Sequence, residues 1–453
     1  MAVVVNPPQR RLRAAPAWRA DGLEISLWLV AATAVALMIA SGGLLATSDQ
    51  DYVYAIGRMA GIVASVLVMN QILLISRVPF IERAFGHDRA AAMHTRMGKV
   101  AFILMLVHMA FLLIVSANYD DRSVWSQVRE FWSLGWFMVA AQAALGLFTL
   151  VVATSLLIVR RRWRYESWHA VHLFVYAAIA LAVPHQFIQG ATFRTKGVAW
   201  WFWLVLYGVV FGSWLVYRVC RPLYLAFRHQ FRVAEVTTHA DGSTSLVMTD
   251  VGLLEMGAQP GQFLLWRFLA PGHWLQAHPY SLSAAPTDGT LRITVSPLGD
   301  GSATLAALPV GTRVLAEGPL GIFSPSARAR DGTVFVAAGI GITPLRAMLE
   351  THTAHDGPCT VIVRASSAED MPLIDEVRDL TRDRFTLHEL YGARGTGWTP
   401  LGGPANLSEL VTDLPDRDVY ICGPVAWADA VEADALAAGC QREAIHRERF
   451  GWS

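Results

Sequence analysis

Long apolar runs fill the first half of the chain, and short alternating runs broken by turn residues fill the second. Runs long enough to cross a bilayer occupy about 25–47, 55–76, 93–116, 135–159, 168–188 and 198–218, each near the roughly 20 residues that a membrane helix needs. Backbone groups in lipid must bond within their own segment, so six helices are predicted. From about 224 the period changes to two: residues 231–236, 245–248 and 291–296 alternate as strands of a small antiparallel barrel do. From 330 the chain turns α/β, with apolar strands expected at 333–337, 360–363 and 419–421. The expected order is therefore an N-terminal segment (1–24), a six-helix transmembrane bundle (25–222), an antiparallel β-barrel domain (224–329) and an α/β nucleotide-binding domain (330–453).

The connections between the apolar runs are charged unequally. Arg10, Arg11, Arg13 and Arg19 precede the first run, Arg77, Arg83, Arg89, Arg96 and Lys99 surround the second connection, and Arg160, Arg161, Arg162 and Arg164 form the fourth. The opposite connections carry Asp49, Asp51, Asp120 and Asp121. The positive-inside rule then places both termini in the cytoplasm of a multi-pass inner-membrane protein embedded in the lipid bilayer. A cleaved signal peptide fits the first run less well, because about 24 residues precede it and no small-x-small site clearly ends it.

Composition adds two exclusions. The 453 residues are 54% hydrophobic and 16% charged, below the roughly 25% charged of soluble domains. The net charge of +1 gives no footprint for a nucleic-acid partner. Cys220, Cys359, Cys422 and Cys440 form no C-x-x-C pair, so neither a zinc ribbon nor a thioredoxin-like motif is expected. All four fall on the cytoplasmic side, where disulfides are rare.

Four histidines stand as two tandem pairs in the third and fifth runs: His94 with His108, and His172 with His185. Gaps of 14 and 13 residues set each pair roughly 20 Å apart along a helix axis, most of a hydrocarbon core roughly 30 Å thick. The third and fifth spans run in the same direction. His94 therefore levels with His172 near the cytoplasm, and His108 with His185 near the outside. Each cross-helix pair can clamp a haem iron with two neutral imidazoles. Fourteen residues nearly restore one helix face, whereas thirteen do not. Pro184 precedes His185 and is expected to kink the helix and swing His185 round. His169, three residues before His172, is a competing ligand. The alternative reading of these histidines is a proton relay.

Arg58 opens the second run in Gly57-Arg58-Met59-Ala60-Gly61, at the outer level. A buried arginine there needs an anion, a haem propionate or a small anionic product, and the alternative is snorkelling to headgroups. In the barrel stretch stands His278-Pro279-Tyr280-Ser281-Leu282-Ser283, where an aromatic beside a hydroxyl can stack on a flat ring and bond its edge. Gly299-Asp300-Gly301-Ser302-Ala303-Thr304 then leads into a helix-like stretch, with backbone amides suited to phosphate. After the 333–337 strand comes Ala338-Gly339-Ile340-Gly341-Ile342-Thr343-Pro344, whose glycines let the backbone approach a pyrophosphate. The next strands end at Arg364 and at Cys422-Gly423-Pro424, and the chain closes with Glu448-Arg449-Phe450-Gly451-Trp452-Ser453.

Together these motifs resemble the NADPH oxidase and ferric reductase family of transmembrane flavocytochromes b, over nearly the whole chain after about residue 20. The histidine spacings, His-Pro-aromatic-Ser with a following Ser, Gly-x-Gly-x-x-Pro, Cys-Gly-Pro and the terminal Glu-x-Phe all match. The size resembles a compact bacterial member. The resemblance implies a ferredoxin-reductase-like module in which the barrel binds FAD. It implies that Tyr280 lies along the flavin and that Ser281 bonds near its reactive nitrogen, with His278, Pro279 and Ser283 in the same segment. Soluble relatives of the ferredoxin-reductase superfamily have arginine in place of His278, so a pyrophosphate contact there stays open. Gly299 to Ser302, with Thr304 as an alternative, is implied to contact FAD phosphates. Gly339, Gly341, Thr343 and Pro344 are implied to hold the nicotinamide dinucleotide, with Cys422, Gly423 and Pro424 near the nicotinamide. Phe450, with Trp452 as its rival, is implied to stack on the flavin. Arg364 is expected to favour NADPH over NADH by pairing with a 2′-phosphate.

The expected activity is transmembrane electron transfer. Hydride passes from NADPH or NADH to FAD, which converts two-electron into one-electron transfer, then electrons pass through two haems b to an outside acceptor. Arg58, Ser281, Cys422 and Phe450 are the residues expected nearest the reacting groups. Dioxygen, giving superoxide, is the favoured acceptor, and a ferric chelate is the alternative. A nucleotide-regulated proton channel or transporter is the reading from another class. No protein partner is indicated.

Overall fold

The computed structural model describes residues 17–43, 48–158, 165–194, 196–250, 256–274, 277–287, 289–297, 300–395 and 397–449. The chain divides into two compact units: Ala20–Ile81 with Asp88–Cys220, and a second built mainly from Arg221–Ser453.

The first unit is helical. Its elements are α1 (Ala17–Ala40), α2 (Asp49–Ile75), α3 (Pro79–Tyr119), α4 (Val124–Ser133), α5 (Trp136–Ala153), α6 (Tyr165–His172), α7 (Phe174–Gln189), α8 (Ala191–Arg194) and α9 (Val198–Trp214). Six described stretches are long and apolar enough to cross a membrane: Trp18–Ala40, Asp49–Ile75, Arg89–Tyr119, Trp136–Leu156, Ser167–Gln189 and Val198–Arg228. Ile103, Ile114, Val205 and Val209 stay exposed on them, as side chains turned to lipid do. Val66, Met69 and Ile72 of α2 pack with Phe148 of α5, Ile179 of α7 and Trp203 of α9 in the bundle core.

Helix ends explain where the expected boundaries shift. The first helix stops at Ala40 rather than near 47. Gly42 adopts φ +79° and Gly43 N–H donates to Met38 O at 2.9 Å, a left-handed glycine cap. α2 begins at Asp49, before the expected 55, because Ser48 and Asp51 cap each other's backbone. α3 breaks at Gly86 (φ +70°) before its membrane-spanning part. α5 ends in a π-helical turn, Thr154–Ile158.

The second unit opens with α10 (Arg221–Arg228) and holds two lobes. The first lobe contains β1 (Arg232–Thr238), β2 (Thr244–Thr249), β3 (Phe263–Phe268), β4 (His278–Ser281), β5 (Thr290–Val295) and β6 (Val314–Leu320), with the short α11 (Asp300–Ala303) after β5. Its strands pair antiparallel as β1-β2-β5 and β4-β3-β6. Bridges Leu282↔Ile293 and Arg232↔Arg313 join the two sheets into a barrel around Phe231, Trp266, Phe268 and Ile293.

The second lobe contains β7 (Gly332–Ala338), α12 (Ile342–Thr351), β8 (Cys359–Ala365), α13 (Ile374–Thr381), β9 (Thr386–Tyr391), β10 (Arg417–Gly423), α14 (Val425–Ala437) and β11 (Ile445–Arg449). All five strands are parallel in the order β11-β10-β7-β8-β9. β7 and β8 are buried along their whole length, as strands covered on both faces are. The strand order reverses between β7 and β10, and ligands collect at the carboxyl ends of strands at such a switch point.

Candidate functional site

In the membrane unit, His94 and His172 face each other with ring centroids 6.2 Å apart. Two metal–imidazole bonds of about 2 Å set end to end, with each ring nitrogen roughly 1 Å from its ring centre, give a separation of about 6 Å. The pair therefore fits one metal centre held between its rings. His108 and His172 make their side-chain contacts through Nδ1.

Neighbours orient the His108 and His172 rings through this nitrogen. His108 Nδ1 lies 2.9 Å from Gly57 O, which places the proton on Nδ1 and leaves Nε2 a lone pair. A Cβ at Gly61 would stand 2.5 Å from His108 Nδ1, so Gly57 and Gly61, one turn apart, form the cradle for that ring. Ser155, in the π-helical turn, lies 3.4 Å from His172 Nδ1 and accepts from Trp168 Nε1 at 3.2 Å. Trp168 packs on the His172 ring at 5.1 Å. A π-turn at such a position is a common device for aiming a functional side chain. Gly57, Gly61, Ser155 and Trp168 were not singled out from the sequence. The Gly-x-x-x-Gly spacing was the available signal.

His172, not His169, is the ring that faces His94. Pro184 lies inside an uninterrupted α7. Leu173, in αR conformation, separates α6 from α7 upstream of it. Arg58 is half-buried next to Gly57, and no hydrogen bond or ion pair engages it among the described residues. An open depression of about 460 Å³ is lined by Asp51, Tyr54, Tyr119, Asp120, Gln127 and Glu130, among others.

In the barrel, β4 presents His278 and Tyr280 on one face, their rings stacked at 5.6 Å and 11°. Burial pushes the Tyr280 phenol up to about 12, so it stays a neutral ring with a hydroxyl. Ser281 Oγ is buried with no hydrogen-bond partner among the described residues. An orphaned hydroxyl beside a stackable ring fits a flavin edge. Ser283 is different: it is wholly buried and its oxygens accept from Arg292 and Thr294, which leaves it committed to the protein. Ser302 lies in α11 and Thr304 just beyond it, exposed. Gly299, Phe450 and Trp452 lie outside the described residues.

At the switch point, Gly339 has φ +53° with open space where a Cβ would stand, whereas a Cβ at Gly341 would meet Cys422 O at 2.2 Å. Thr343 Oγ1 donates to Ile340 O at 3.0 Å and closes the turn, and Pro344 follows in the first turn of α12. Cys422 and Gly423 end β10 beside Ala337 of β7, and Pro424 starts α14. Burial, reinforced by Glu448, raises the Cys422 thiol well above its ordinary range, so it remains protonated.

Arg364 departs from expectation. It is buried, and its guanidinium donates to Ala365 O and, at 2.6 Å, to Gly392 O. Burial and the neighbouring Arg394 lower its pKa. A guanidinium spent on carbonyls does not present itself to a phosphate. Arg394, which was not singled out from the sequence, is exposed nearby; its Nε donates to Gly397 O at 3.3 Å.

Comparison with known proteins agrees with this division. Residues 60–183 match the ferric reductase like transmembrane component, and residues 335–433 match the oxidoreductase NAD-binding domain. The chain joins a ferric reductase-like membrane domain to an NAD-binding oxidoreductase domain. The ferric reductase-like match takes in His94, His108 and His172 and stops just short of His185. The ferredoxin reductase component of a 3-ketosteroid-9-alpha-monooxygenase from Mycolicibacterium smegmatis is 32% identical over 49% of this chain and 65% of its own length. A flavohemoprotein from Vibrio cholerae is 29% identical over 46% of this chain and 54% of its own. The chain thus spans less than two thirds of the length of these curated relatives. The flavohem-like FAD/NAD binding domain of a Vibrio cholerae nitric oxide dioxygenase is 27% identical, with TM-score 0.42, covering 49% of this chain and 98% of that domain.

Proposed function

We propose that this multi-pass membrane protein carries electrons from cytoplasmic NADPH or NADH, through FAD and two haems b, to a one-electron acceptor outside the inner membrane. The observation that carries the reading is the His94–His172 pair, with rings 6.2 Å apart; the second centre is proposed at His108 and His185, further along the same two spans. Flavin, when bound, turns a two-electron hydride into single electrons, and bis-imidazole haems pass these on without an open coordination site. The chain's own residues hold and orient. Gly57 and Ser155 fix the imidazole tautomers, and Ser281 offers its free hydroxyl to the flavin edge. Gly339 leaves room for a pyrophosphate, and Cys422 closes the floor of the nucleotide turn as a neutral thiol.

Dioxygen, reduced to superoxide, is the acceptor this reading favours, because Arg58, without a hydrogen bond or ion pair among the described residues, follows Gly57, whose carbonyl holds His108. The acidic depression lined by Asp51, Asp120 and Glu130 supports the second reading only for a ferric chelate of net positive charge, which it would attract. Purified protein is expected to show b-type bands in a reduced-minus-oxidised spectrum and aerobic NADPH oxidation that yields superoxide. Arg58→Ala is expected to lower superoxide output about tenfold, the loss of one charge-assisted contact of roughly 1.4 kcal/mol. Ferric chelate reduction by that variant would stay near wild type. A spectrum without haem bands would sink the electron path. Superoxide output unchanged by Arg58→Ala, with a fast ferric chelate rate, would select the second acceptor.

The 2′-phosphate is assigned to Arg394 rather than Arg364. Arg394→Ala is expected to raise the KM for NADPH about tenfold while leaving that for NADH alone. Equal changes for the two nucleotides would refute the assignment.

A further inference from the structure

A charged network ties the two lobes of the second unit together. Arg292, on β5 of the barrel, donates through both terminal nitrogens to Glu376 on α13, at 3.0 and 2.8 Å. The same guanidinium donates to Ser283 Oγ at 3.1 Å and Ser283 O at 2.9 Å. From the nucleotide-binding lobe, Arg346 on α12 lies 2.7 Å from Glu376 and reaches back to Ser283 O at 3.3 Å. Glu350, one turn on, accepts from Ala285 N at 2.7 Å. Hydroxyls continue the network into the barrel: Thr294 to Ser283 at 2.8 Å, Ser245 to Thr294 at 2.8 Å, and His239 to Ser245 at 2.7 Å. Burial works to raise the Glu376 carboxyl, but the Arg292 hydrogen bonds and the charges of Arg292 and Arg346 hold it below its ordinary value.

Largely buried ion pairs of this kind add little net stability, since desolvation offsets most of the attraction, but they can specify one arrangement over its neighbours. The attachment points give that specification a meaning. Ser283 lies two residues beyond Ser281, whose free hydroxyl is assigned to the flavin edge. Arg346 lies three residues beyond Thr343, which closes the nucleotide turn. We infer that Arg292, Glu376 and Arg346 are positioning residues that lock the barrel against the nucleotide-binding lobe and so set the approach of nicotinamide to flavin. This rests on the proposed hydride transfer within the second unit. Rates of such transfers fall steeply with misalignment, on the order of a hundredfold for about 1 Å.

The test uses full-length, FAD-loaded protein in lipid nanodiscs. Anaerobic stopped-flow measures flavin reduction at saturating NADPH. Glu376→Ala is expected to slow that step on the order of 10- to 100-fold, with FAD content and NADPH affinity changed less than about threefold. Glu376→Gln, which keeps hydrogen-bond acceptance from Arg292, is expected to recover much of the rate. Arg292→Lys, which keeps the charge but loses the two-pronged geometry, is expected to fall between, and it serves if Glu376→Ala does not fold. Amide exchange in α12 and across 283–287 should rise in step with the loss. A wild-type reduction rate in Glu376→Ala, unchanged exchange, or a loss no larger than the loss of FAD overturns the lock. Wild-type protein whose flavin NADPH cannot reduce would instead remove the underlying reading of the function.

Discussion

A His108→Ala protein is expected to keep NAD(P)H-driven flavin reduction and lose reduction of external acceptors by more than about 100-fold. Removing even an outer-shell partner of a metal ligand costs 10- to 100-fold, and this change removes the ligand itself. The local structure confines the damage. His108, on α3, is held by one hydrogen bond to Gly57 O of α2, and truncation leaves that carbonyl and a gap beside Gly61. The His94–His172 pair keeps its own supports, Ser155 and Trp168. One of two haem signals should therefore survive. Gly61→Val should reproduce the phenotype with every histidine present, because even its Cβ would overlap the His108 ring at 2.5–2.9 Å. His169→Ala is the control, and both haem signals should remain. Spectra of the purified variants and chelate-reduction assays check all three. Retention of full external activity in His108→Ala would leave the membrane unit as a mere anchor.

The parts of the molecule legible in the sequence are those where one strong physical demand acts on local residues. Lipid forces long apolar helices, so six spans could be read directly. Their ends could not, because a few polar atoms decide them: Ser48 with Asp51, and the backbone of Gly42 and Gly43. That His94 and His172 could meet followed from rise per residue. α4 was missed altogether, being short and not apolar enough to register as a span.

In the second unit, strand ends and glycine turns identified the nucleotide edge, since a positive φ at Gly339 and a tight approach at Gly341 demand glycine. Arg364 shows where that logic stops. A charged residue at a strand end reads as exposed, yet its guanidinium is claimed by Gly392 O, 28 residues further on, a partner fixed by the pairing of β8 with β9. Arg292 and Glu376 stand 84 residues apart, and no local pattern announces their meeting. Ser283 illustrates the same limit within a recognised motif: spacing placed it beside the flavin segment, but tertiary contacts gave its oxygens to Arg292 and Thr294.

Gly341→Ala should be among the most damaging single-methyl changes in the nucleotide-binding lobe, and the comparison with Gly339→Ala explains why. At Gly341 the new Cβ would stand 2.2 Å from Cys422 O, 2.6 Å from Cys422 C and 2.9 Å from Gly423 N. All three are backbone atoms of β10, so no rotamer change relieves the overlap. Either the turn lifts away from the sheet or the end of β10 moves out of register with β7. Overpacking of this kind costs typically 1–3 kcal/mol. The strain falls on the segment that carries both the turn and Cys422, so NADPH affinity should fall by about ten- to a hundredfold, with a lowered Tm. At Gly339 a Cβ meets nothing within 4 Å, and the left-handed φ of +53° costs only about 1–2 kcal/mol. The added methyl there would occupy space assigned to a phosphate. Gly339→Ala should therefore lose nucleotide affinity with a smaller change in Tm. Nucleotide titration and thermal unfolding of the two variants separate these outcomes. Wild-type NADPH affinity in Gly341→Ala would mean that the turn between β7 and α12 does not carry the pyrophosphate.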